Sequence, residues 1–173
     1  MKTYFTKFLG QRAALPPRAP ARHIALAAVG GGVAIAAVAA LAFATGQPLV
    51  LGSLGASCVF VFGLPDAPFA QPRNVILGHV ISSVTGLVFL KLFGPHAWAL
   101  GLALATSIAL MFATRTTHAP AGSNPVIVFL TKPDWGFVLA PTLAGAALIV
   151  LIALFYNNAT RPGAYPLYWR GRD

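Results

Sequence analysis

Acidic residues are scarce in this chain, and their scarcity excludes several kinds of chemistry. The 173 residues contain no glutamate, and the only acidic residues are Asp66, Asp134 and Asp173. Glycosidases and two-metal sites need paired carboxylates held close together. No such pair can be assembled from neighbouring positions of this sequence, and we expect neither a metal nor any other cofactor.

Cysteine is limited to Cys58, which excludes an intramolecular disulfide and has no second ligand at metal-binding spacing. Nucleophile motifs are missing as well. The segment 51–55 lacks the first glycine of the Gly-x-Ser-x-Gly hydrolase motif. The glycine run 30–32 lies within an apolar segment, where it cannot cradle a phosphate. We therefore expect that the chain is not an enzyme.

Apolar residues dominate what is present. The sequence is 57% hydrophobic and 9% charged, with a mean hydropathy of +0.76, which is typical of an integral membrane protein. The formal charge is +9, but residues 23–160 contain four basic and two acidic residues, a balance of +2. The remaining positive charge lies in the tails, as the positive-inside rule describes, and not on a nucleic-acid-binding face.

This distribution predicts three parts of an all-α polytopic membrane protein. Residues 1–22 form a basic cytoplasmic N-terminal tail, residues 23–160 a single transmembrane domain, and residues 161–173 a basic C-terminal tail. We expect Tyr165, Tyr168 and Trp169 to anchor the second tail at the membrane interface. The short basic start, without a transit peptide, favours a bacterial inner membrane with both termini in the cytoplasm.

Four apolar runs are long enough to cross a membrane as full helices. They are residues 23–44, 75–93, 97–114 and 135–156. A hydrocarbon core of ~30 Å requires about 20 helical residues. Three runs carry small residues every four positions, which lets helices pack closely, either within one chain or between copies in a homo-oligomer. These stripes are Gly32, Ala36, Ala40 and Ala44; Gly78, Ser82 and Gly86; and Gly101, Ala105 and Ala109.

Two further segments, 47–64 and 114–130, combine short apolar runs with proline and glycine. Non-helical backbone at membrane depth survives only against protein or beside a water-filled cavity. We interpret both segments as extended stretches that lead into short broken or re-entrant helices. The free amides at such helix starts favour an anion. The expected anion contacts are Gly55, Ala56 and Ser57 in the first segment and Gly122, Ser123 and Asn124 in the second.

The sequence around the two broken helices repeats. Residues 55–62 align with residues 122–129 at an offset of 67, with four identical positions of eight. The same offset gives each half the order span, broken helix, span. If the broken helices cross the membrane, the two halves are inverted; if they re-enter, the halves run parallel. The basic residues in the loops favour crossing, and therefore inverted repeats.

Polar side chains at membrane depth each allow two interpretations. His79 either belongs to a functional site or bonds a neighbouring helix. His118 either gates the site and senses pH, or tethers its loop to a neighbouring carbonyl. Ser57 and Ser123 either donate to an anion or cap their own helices.

Three short motifs carry a resemblance to a known family. They are residues 52–57, residues 64–74 followed by Gly78-His79, and residues 114–118 leading into residues 120–122. With Ala-Gln-Pro-Arg-Asn at 70–74 as a specific signature, the sequence resembles the HPP family of small integral membrane proteins over roughly residues 20–160. The resemblance implies four transmembrane helices and an association with nitrite transport. Ala119 replaces the first proline of the His-Pro-Pro motif, and we expect a less rigid loop.

The function we expect is transport of a small inorganic anion, nitrite by the resemblance, through a channel or uniporter. The amides at the starts of the broken helices would replace part of the anion's hydration. Arg73 or Arg115 would supply a compensating positive charge at the entrance of the transport path. Arg115 serves equally well as a positive-inside anchor. Because no carboxylate lies inside a span, proton coupling would depend on His79 or His118. The alternative is a regulatory or scaffold membrane module without permeation. The expected partners are the anion and the bilayer.

Overall fold

A computed structural model describes residues 2–10 and 13–170. In these ranges every regular element is helical, which confirms the all-α prediction. The α-helices are α1 Lys2–Thr6, α2 Ala21–Thr45, α3 Gly52–Gly63, α4 Pro72–Phe93, α5 Ala97–Ala113, α6 Asn124–Thr131 and α7 Ala144–Thr160. Short 3-10 turns occupy Lys7–Leu9, Pro68–Ala70 and Ala119–Ser123, and a π-helical turn at Val138–Leu143 leads into α7.

Three of the helices are long and apolar enough to span a membrane: Ala21–Thr45, Pro72–Phe93 and Val138–Thr160. They correspond to the predicted spans at 23–44, 75–93 and 135–156. The other predicted span coincides with α5, which has 17 residues. At ~1.5 Å per residue α5 is about 26 Å long, a little less than a ~30 Å hydrocarbon core. A fourth full span therefore stays a prediction.

The last span is broken near its start, where the sequence predicted one continuous helix. Ala140 has non-helical backbone angles, φ −135° and ψ 117°, directly before Pro141. Proline has no N–H to donate within a helix, and it pushes the preceding residue towards extended angles. The prediction of an uninterrupted helix was wrong because it gave Pro141 no weight. The break leaves Thr142 buried in the bundle.

Chain segments from both halves meet at one end of the bundle. The Nε2 of His23, near the start of α2, donates to the carbonyl oxygen of Gly63 at the end of α3, at 2.8 Å. Arg73, near the start of α4, donates to the carbonyl oxygen of Thr114 after α5, at 3.0 Å. We call this end the basal end. The opposite, distal end holds the turns that follow α2, α4 and α6.

The two broken helices begin inside the bundle, as predicted. Extended backbone at Leu51, φ −114° and ψ 144°, leads into α3, and α3 then runs to the basal end. Extended backbone at His118, φ −138° and ψ 102°, leads through a 3-10 turn into α6. The predicted start of the first helix needs correction. It begins at Gly52, and the amide of Gly55 is already bonded to the carbonyl oxygen of Leu51 at 3.3 Å.

Small residues on α4 let α6 and the chain before it approach closely, which confirms the predicted stripe at 78, 82 and 86. A Cβ added to Gly78 would lie 2.9 Å from the Cβ of His118. A Cβ added to Gly86 would lie 2.9 Å from the Cα of Pro125 and 3.3 Å from the Cβ of Val128. Because 118 lies beside 78 and 125 beside 86, the chain leading into α6 follows α4 towards the distal end.

The other two predicted stripes face away from the bundle, so they do not pack helices within the chain, and contacts between copies stay a prediction. On α2 the predicted residues Gly32, Ala36, Ala40 and Ala44 are exposed, while the buried ones are Gly30, Ala34 and Val38. On α5 the predicted residues Gly101, Ala105 and Ala109 are exposed, while the buried ones are Ala99, Ala103, Ser107 and Met111. The faces cannot be separated by polarity, because lipid-facing and protein-facing surfaces of a membrane helix are both apolar. Residue size alone therefore did not identify the faces of α2 and α5 that pack within the chain.

The C-terminal segment, 161–170, folds back over the basal end. The side chain of Tyr165 is 2% exposed, and its hydroxyl donates to the carbonyl oxygen of Ala70 at 2.8 Å. Burial raises the pKa of this phenol, so it remains a neutral donor. Arg161 forms an ion pair with Asp66. The expectation that Tyr165 anchors a tail at the membrane interface was wrong; residues 171–173 lie outside the described part of the chain.

Because α4 approaches α6 closely at Gly86, we expect two matched glycine-to-alanine substitutions to change the stability of the fold in opposite directions. Gly86→Ala should destabilise the fold by about 1–3 kcal/mol, because the added methyl group meets backbone atoms of Pro125. Gly32→Ala should be neutral or stabilise by up to about 1 kcal/mol, because its Cβ meets nothing within 4 Å and alanine favours helix. Thermal unfolding in detergent measures both. Equal effects would contradict the packing described here.

Candidate functional site

Seven polar side chains converge in the interior of the bundle. Each is at most 2% exposed, although the surrounding core is apolar. They are Ser53 and Ser57 on α3, His79 and Ser83 on α4, His118 before the 3-10 turn, Asn124 at the start of α6 and Thr142 at the break before α7. We call these seven residues the polar cluster. Polar groups at this depth are costly unless they bond one another.

The hydroxyl of Ser57 is the centre of the polar cluster. Its oxygen lies 2.9 Å from Nε2 of His79 and 2.8 Å from Nε2 of His118. It also lies 2.9 Å from the carbonyl oxygen of Ser53, one helical turn earlier. One hydroxyl group therefore joins α3 to both histidines.

The protonation of His118 follows from its outer partner. Its Nδ1 lies 2.7 Å from the carbonyl oxygen of Phe69, and a carbonyl oxygen can only accept. Nδ1 must therefore carry the hydrogen. In the neutral ring Nε2 then has a lone pair, and the Ser57 hydroxyl donates to it.

The protonation of His79 follows from Asn124 in the same way. One amide atom of Asn124 lies 3.2 Å from the carbonyl oxygen of His79, so that atom must be the donor Nδ2. Nδ2 also lies 3.1 Å from Nδ1 of His79 and 2.9 Å from Oγ of Ser83. Because Nδ1 accepts from the amide, the hydrogen of the neutral ring is on Nε2, which donates to Ser57.

These assignments give one hydrogen-bonded chain with a fixed direction. It runs from Asn124 through His79, Ser57 and His118 to the carbonyl oxygen of Phe69. Every donor in it has an acceptor when both rings are neutral. On the other side Asn124 continues to Ser83, whose hydroxyl lies 2.9 Å from that of Thr142. A continuous polar path thus crosses much of the apolar interior.

Two atoms of the polar cluster lack a partner. Among the described residues, Ser53 Oγ and Asn124 Oδ1 are buried without a hydrogen bond, as is Nη1 of Arg161 at the basal end. Each such atom loses its hydration without compensation. Ser53 is the second residue of α3 and Asn124 the first residue of α6. The unpaired atoms therefore lie in the first turns of the two broken helices.

The residues of the Ala-Gln-Pro-Arg-Asn signature hold neighbouring segments in place. Asn74 donates to the carbonyl oxygen of Thr117 at 3.0 Å, next to His118. Gln71 donates to the carbonyl oxygen of Pro65 at 2.9 Å and accepts from the amide of Leu167 at 2.8 Å. The signature therefore positions the histidine segment and the C-terminal segment against the start of α4.

Ala119, where the family motif has proline, does not loosen this arrangement. The residue is exposed and begins the 3-10 turn, a position that tolerates either residue. His118 is held instead by Phe69, by Ser57 and by its close packing on Gly78. The expectation of a less rigid loop is not supported by these contacts.

Four of the predicted site residues belong to the polar cluster: Ser57, His79, His118 and Asn124. The others lie elsewhere. Gly55 and Ala56 lie on the outer side of α3, Gly122 is partly exposed, and exposed Ser123 donates to the carbonyl oxygen of Pro120 at 2.8 Å. The side chain of Ser123 therefore does not cap α6, and it bonds the preceding turn instead. For His79 and His118 the bond to a neighbouring segment is observed, and a role of either ring in function stays a prediction.

Arg115 lies at the basal end, above the polar cluster. It is exposed, with a left-handed φ of 54°, and lines a cavity of about 270 Å³. The cavity is lined by Pro68, Phe69, Asn74, Arg115, Thr117 and Tyr168. Phe69 connects the two places, because its carbonyl oxygen accepts from His118. Arg73 is not a lining residue; its guanidinium bonds the end of α5.

Sequence reasoning missed Ser53, Ser83 and Thr142. A signal for two of them was present, since Ser53 lies four residues before Ser57 and Ser83 four residues after His79. Polar residues at this spacing share one helix face. Thr142 carried no such signal, because its burial depends on the break at Pro141.

The fold and the polar cluster together define a polytopic helical membrane protein with a closed polar interior. The chain belongs to the HPP family, since the model of the HPP transmembrane region matches residues 16–166. This confirms the resemblance expected from the three motifs.

Two transmembrane proteins of Dictyostelium discoideum are similar in sequence. One is 40% identical over 129 residues, which are 70% of this chain and 45% of that protein. The other is 38% identical over 128 residues, which are 69% of this chain and 41% of that protein. The chain thus spans less than half the length of these curated relatives. No solved structure matches it.

The central position of Ser57 predicts a marked cost of removing its hydroxyl. Ser57→Ala leaves Nε2 of both histidines without a partner and should lower the free energy of unfolding by about 1–3 kcal/mol. Ser123→Ala, on the exposed surface, should change it by less than about 0.5 kcal/mol. Chemical or thermal unfolding of the two purified variants measures the difference. A Ser57→Ala protein as stable as Ser123→Ala would contradict the assigned hydrogen bonds.

Proposed function

We propose that this protein is a membrane carrier for a small inorganic anion, with nitrite as the anion suggested by the family resemblance. The observation that carries the proposal is a buried polar path, free of carboxylates, that links the first turns of two broken helices through Ser57 and His79. Such helix starts present positive partial charge to an anion.

The composition of the polar cluster supports an anion rather than a cation. Its seven residues include no acidic side chain, and a buried cation needs carboxylates or several carbonyl groups. The unpaired hydroxyl of Ser53 can donate a hydrogen bond to an anion. The two histidines provide further ring N–H groups once the cluster opens.

The basal cavity supports a route of access. Arg115 and Phe69 both line it, and the positive charge of Arg115 favours anions there. The carbonyl oxygen of Phe69, a lining residue of this cavity, accepts from His118 and so connects the cavity wall to the polar cluster.

The burial of the polar cluster favours a carrier over an open channel. An open channel needs a continuous hydrated opening, whereas these seven side chains are almost completely covered. In a carrier the site is covered in one state and exposed to each side in turn. An enzyme is less well supported, because the Ser57 hydroxyl has no exposed surface for a substrate.

We infer further that α2 to α7 all cross the membrane. If α2 carries the chain from the basal to the distal end, then residues 46–63 carry it back, because Gly63 lies beside His23. Likewise α5 ends basally at Thr114, beside Arg73, and α6 then runs along α4 to the distal end. Three crossings in each half make the two halves inverted.

Matching contacts support the inverted repeat. A Cβ on Gly78 of α4 would lie 3.1 Å from the carbonyl oxygen of Thr116. A Cβ on Gly145 of α7 would lie 3.4 Å from the carbonyl oxygen of Leu49. The two glycines differ by 67 positions, as do the two carbonyl groups. Each half thus packs its last helix on the extended stretch of the other half.

The distribution of basic residues supports a cytoplasmic basal end. The basal end carries Arg22, Arg73, Arg115 and Arg161, whereas the distal end carries Lys91 and Lys132. The positive-inside rule then places both termini in the cytoplasm. The bacterial inner membrane and a homo-oligomer that uses the exposed stripes of α2 and α5 stay predictions.

The six-crossing topology predicts opposite accessibility for two loop aspartates. In a Cys58→Ser background, Asp66→Cys should react with a membrane-impermeant maleimide only from the cytoplasmic side. Asp134→Cys should react only from the opposite side. Re-entrant short helices would place both residues on the same side, so labelling of both from one side would contradict the proposal.

Anion transport predicts protein-dependent nitrite uptake into proteoliposomes. Asn124→Leu removes the bonds to His79 and Ser83 and should lower uptake at least about tenfold, the effect of losing ~1.4 kcal/mol of transition-state stabilisation. Ser123→Ala should leave uptake unchanged. If folded, inserted wild-type protein moves none of nitrite, nitrate, formate or chloride, the carrier proposal is wrong and a regulatory module gains support.

A further inference from the structure

The geometry around Ser57 points to a coupling ion, an inference that rests on the proposed anion transport. We propose that the pair His79 and His118, bridged by Ser57, takes up one proton together with each anion, so that the protein is an electroneutral proton–anion symporter. This replaces the uniporter expected from the sequence.

Ser57 is placed to serve two hydrogen-bonding states. Its hydroxyl has one hydrogen but two acceptors within reach, Nε2 of His118 at 2.8 Å and the carbonyl oxygen of Ser53 at 2.9 Å. With neutral rings the hydrogen points to His118, because that nitrogen has a lone pair and no other donor among these contacts. In this state the Ser57 hydroxyl does not donate to the Ser53 carbonyl oxygen, which keeps one lone pair available for it.

Adding one proton requires no rearrangement of heavy atoms. The proton binds the lone pair of Nε2 on His118, and the new N–H donates to Ser57 Oγ. The Ser57 hydrogen turns to the carbonyl oxygen of Ser53, while the oxygen still accepts from His79. Nδ1–H of His118 keeps its bond to Phe69. Every donor of the protonated pair is therefore satisfied.

Loss of the proton reverses the same steps. The proton leaves Nε2 of His118, and the Ser57 hydrogen returns to that nitrogen. Only an N–H bond forms and breaks, so the step needs no oxidant or further reactant. Ser57 thus acts as a positioning residue that matches both states of the ring.

The positive charge of the protonated histidine pair requires a negatively charged partner nearby. A lone buried charge is far more costly than a buried pair of opposite charges. The described ionisable groups on the surrounding elements are Arg22, His23, Cys58, Arg73, Lys91, Arg115, Tyr156, Arg161, Tyr165, Tyr168 and Arg170. None of them is a carboxylate, and Asp66 and Asp134 lie in the turns at opposite ends of the bundle. The transported anion is therefore the group that neutralises the proton, and the two ions enter together.

Proteoliposomes holding the full chain separate proton coupling from anion transport. Nitrite is the probe, and uptake is measured against protein-free vesicles because nitrous acid crosses lipid unaided. One set of vesicles has an alkaline interior with the voltage clamped at zero by valinomycin and equal potassium. A second set has no pH difference and an inside-positive voltage.

Symport predicts uptake that follows the pH difference and ignores the voltage. The initial rate above that of protein-free vesicles should rise with the pH difference. The final accumulation, about tenfold for each pH unit, is the same with or without protein, because unaided nitrous acid also moves one proton with each anion. Protein-dependent uptake that follows voltage alone would overturn the coupling while leaving anion transport intact. Absence of any protein-dependent uptake of nitrite, nitrate, formate and chloride would overturn both proposals.

Two matched histidine variants add a structural control. His118→Gln keeps a polar side chain but cannot take up a proton, and it should reduce uptake driven by the pH difference at least about tenfold. His96→Gln, at an exposed histidine of the distal end, should leave uptake unchanged. Full pH-driven uptake by folded His118→Gln would overturn the proposal. If that variant fails to fold, the wild-type comparison of pH difference and voltage still decides.

Discussion

One hydroxyl group, that of Ser57, sets the conditions for the rest of the interior. Two imidazole rings can be buried in an apolar bundle only if each ring nitrogen has a partner of the correct kind. Ser57 accepts from one ring and donates to the other, and the outer nitrogens are paired by Asn124 and by the Phe69 carbonyl oxygen. The direction of all these hydrogen bonds follows from the two groups at the ends of the series, the amide donor of Asn124 and the carbonyl acceptor of Phe69.

The architecture brings these groups together from distant parts of the sequence. Both short helices begin inside the bundle, so that Ser53 and Asn124 lie in their first turns. Gly78 allows the backbone before α6 to approach α4 closely enough for His118 to reach Ser57. The same packing that stabilises the bundle therefore positions the polar cluster, and the two cannot be changed independently.

Much of this arrangement could be predicted from local sequence. Proline and glycine around 114–125 indicated non-helical backbone at depth, and the repeat related Ser57 to Asn124, which in the structure bond opposite nitrogens of His79. The packing faces of α2 and α5 could not be predicted, because every face of a membrane helix is apolar. The partner of each histidine could not be predicted either, because it depends on long-range packing. Pro141 was a local signal that deserved more weight.

The most direct test of this account is nitrogen-15 NMR of the histidine rings in lipid bilayers, assigned with His79→Gln and His118→Gln. Without anion, we expect a neutral His118 ring with its hydrogen on Nδ1 and a neutral His79 ring with its hydrogen on Nε2. Saturating nitrite should convert one of the two rings to the doubly protonated form. The same tautomer in both rings, or no change on adding nitrite, would contradict the directional chain and the role assigned to it.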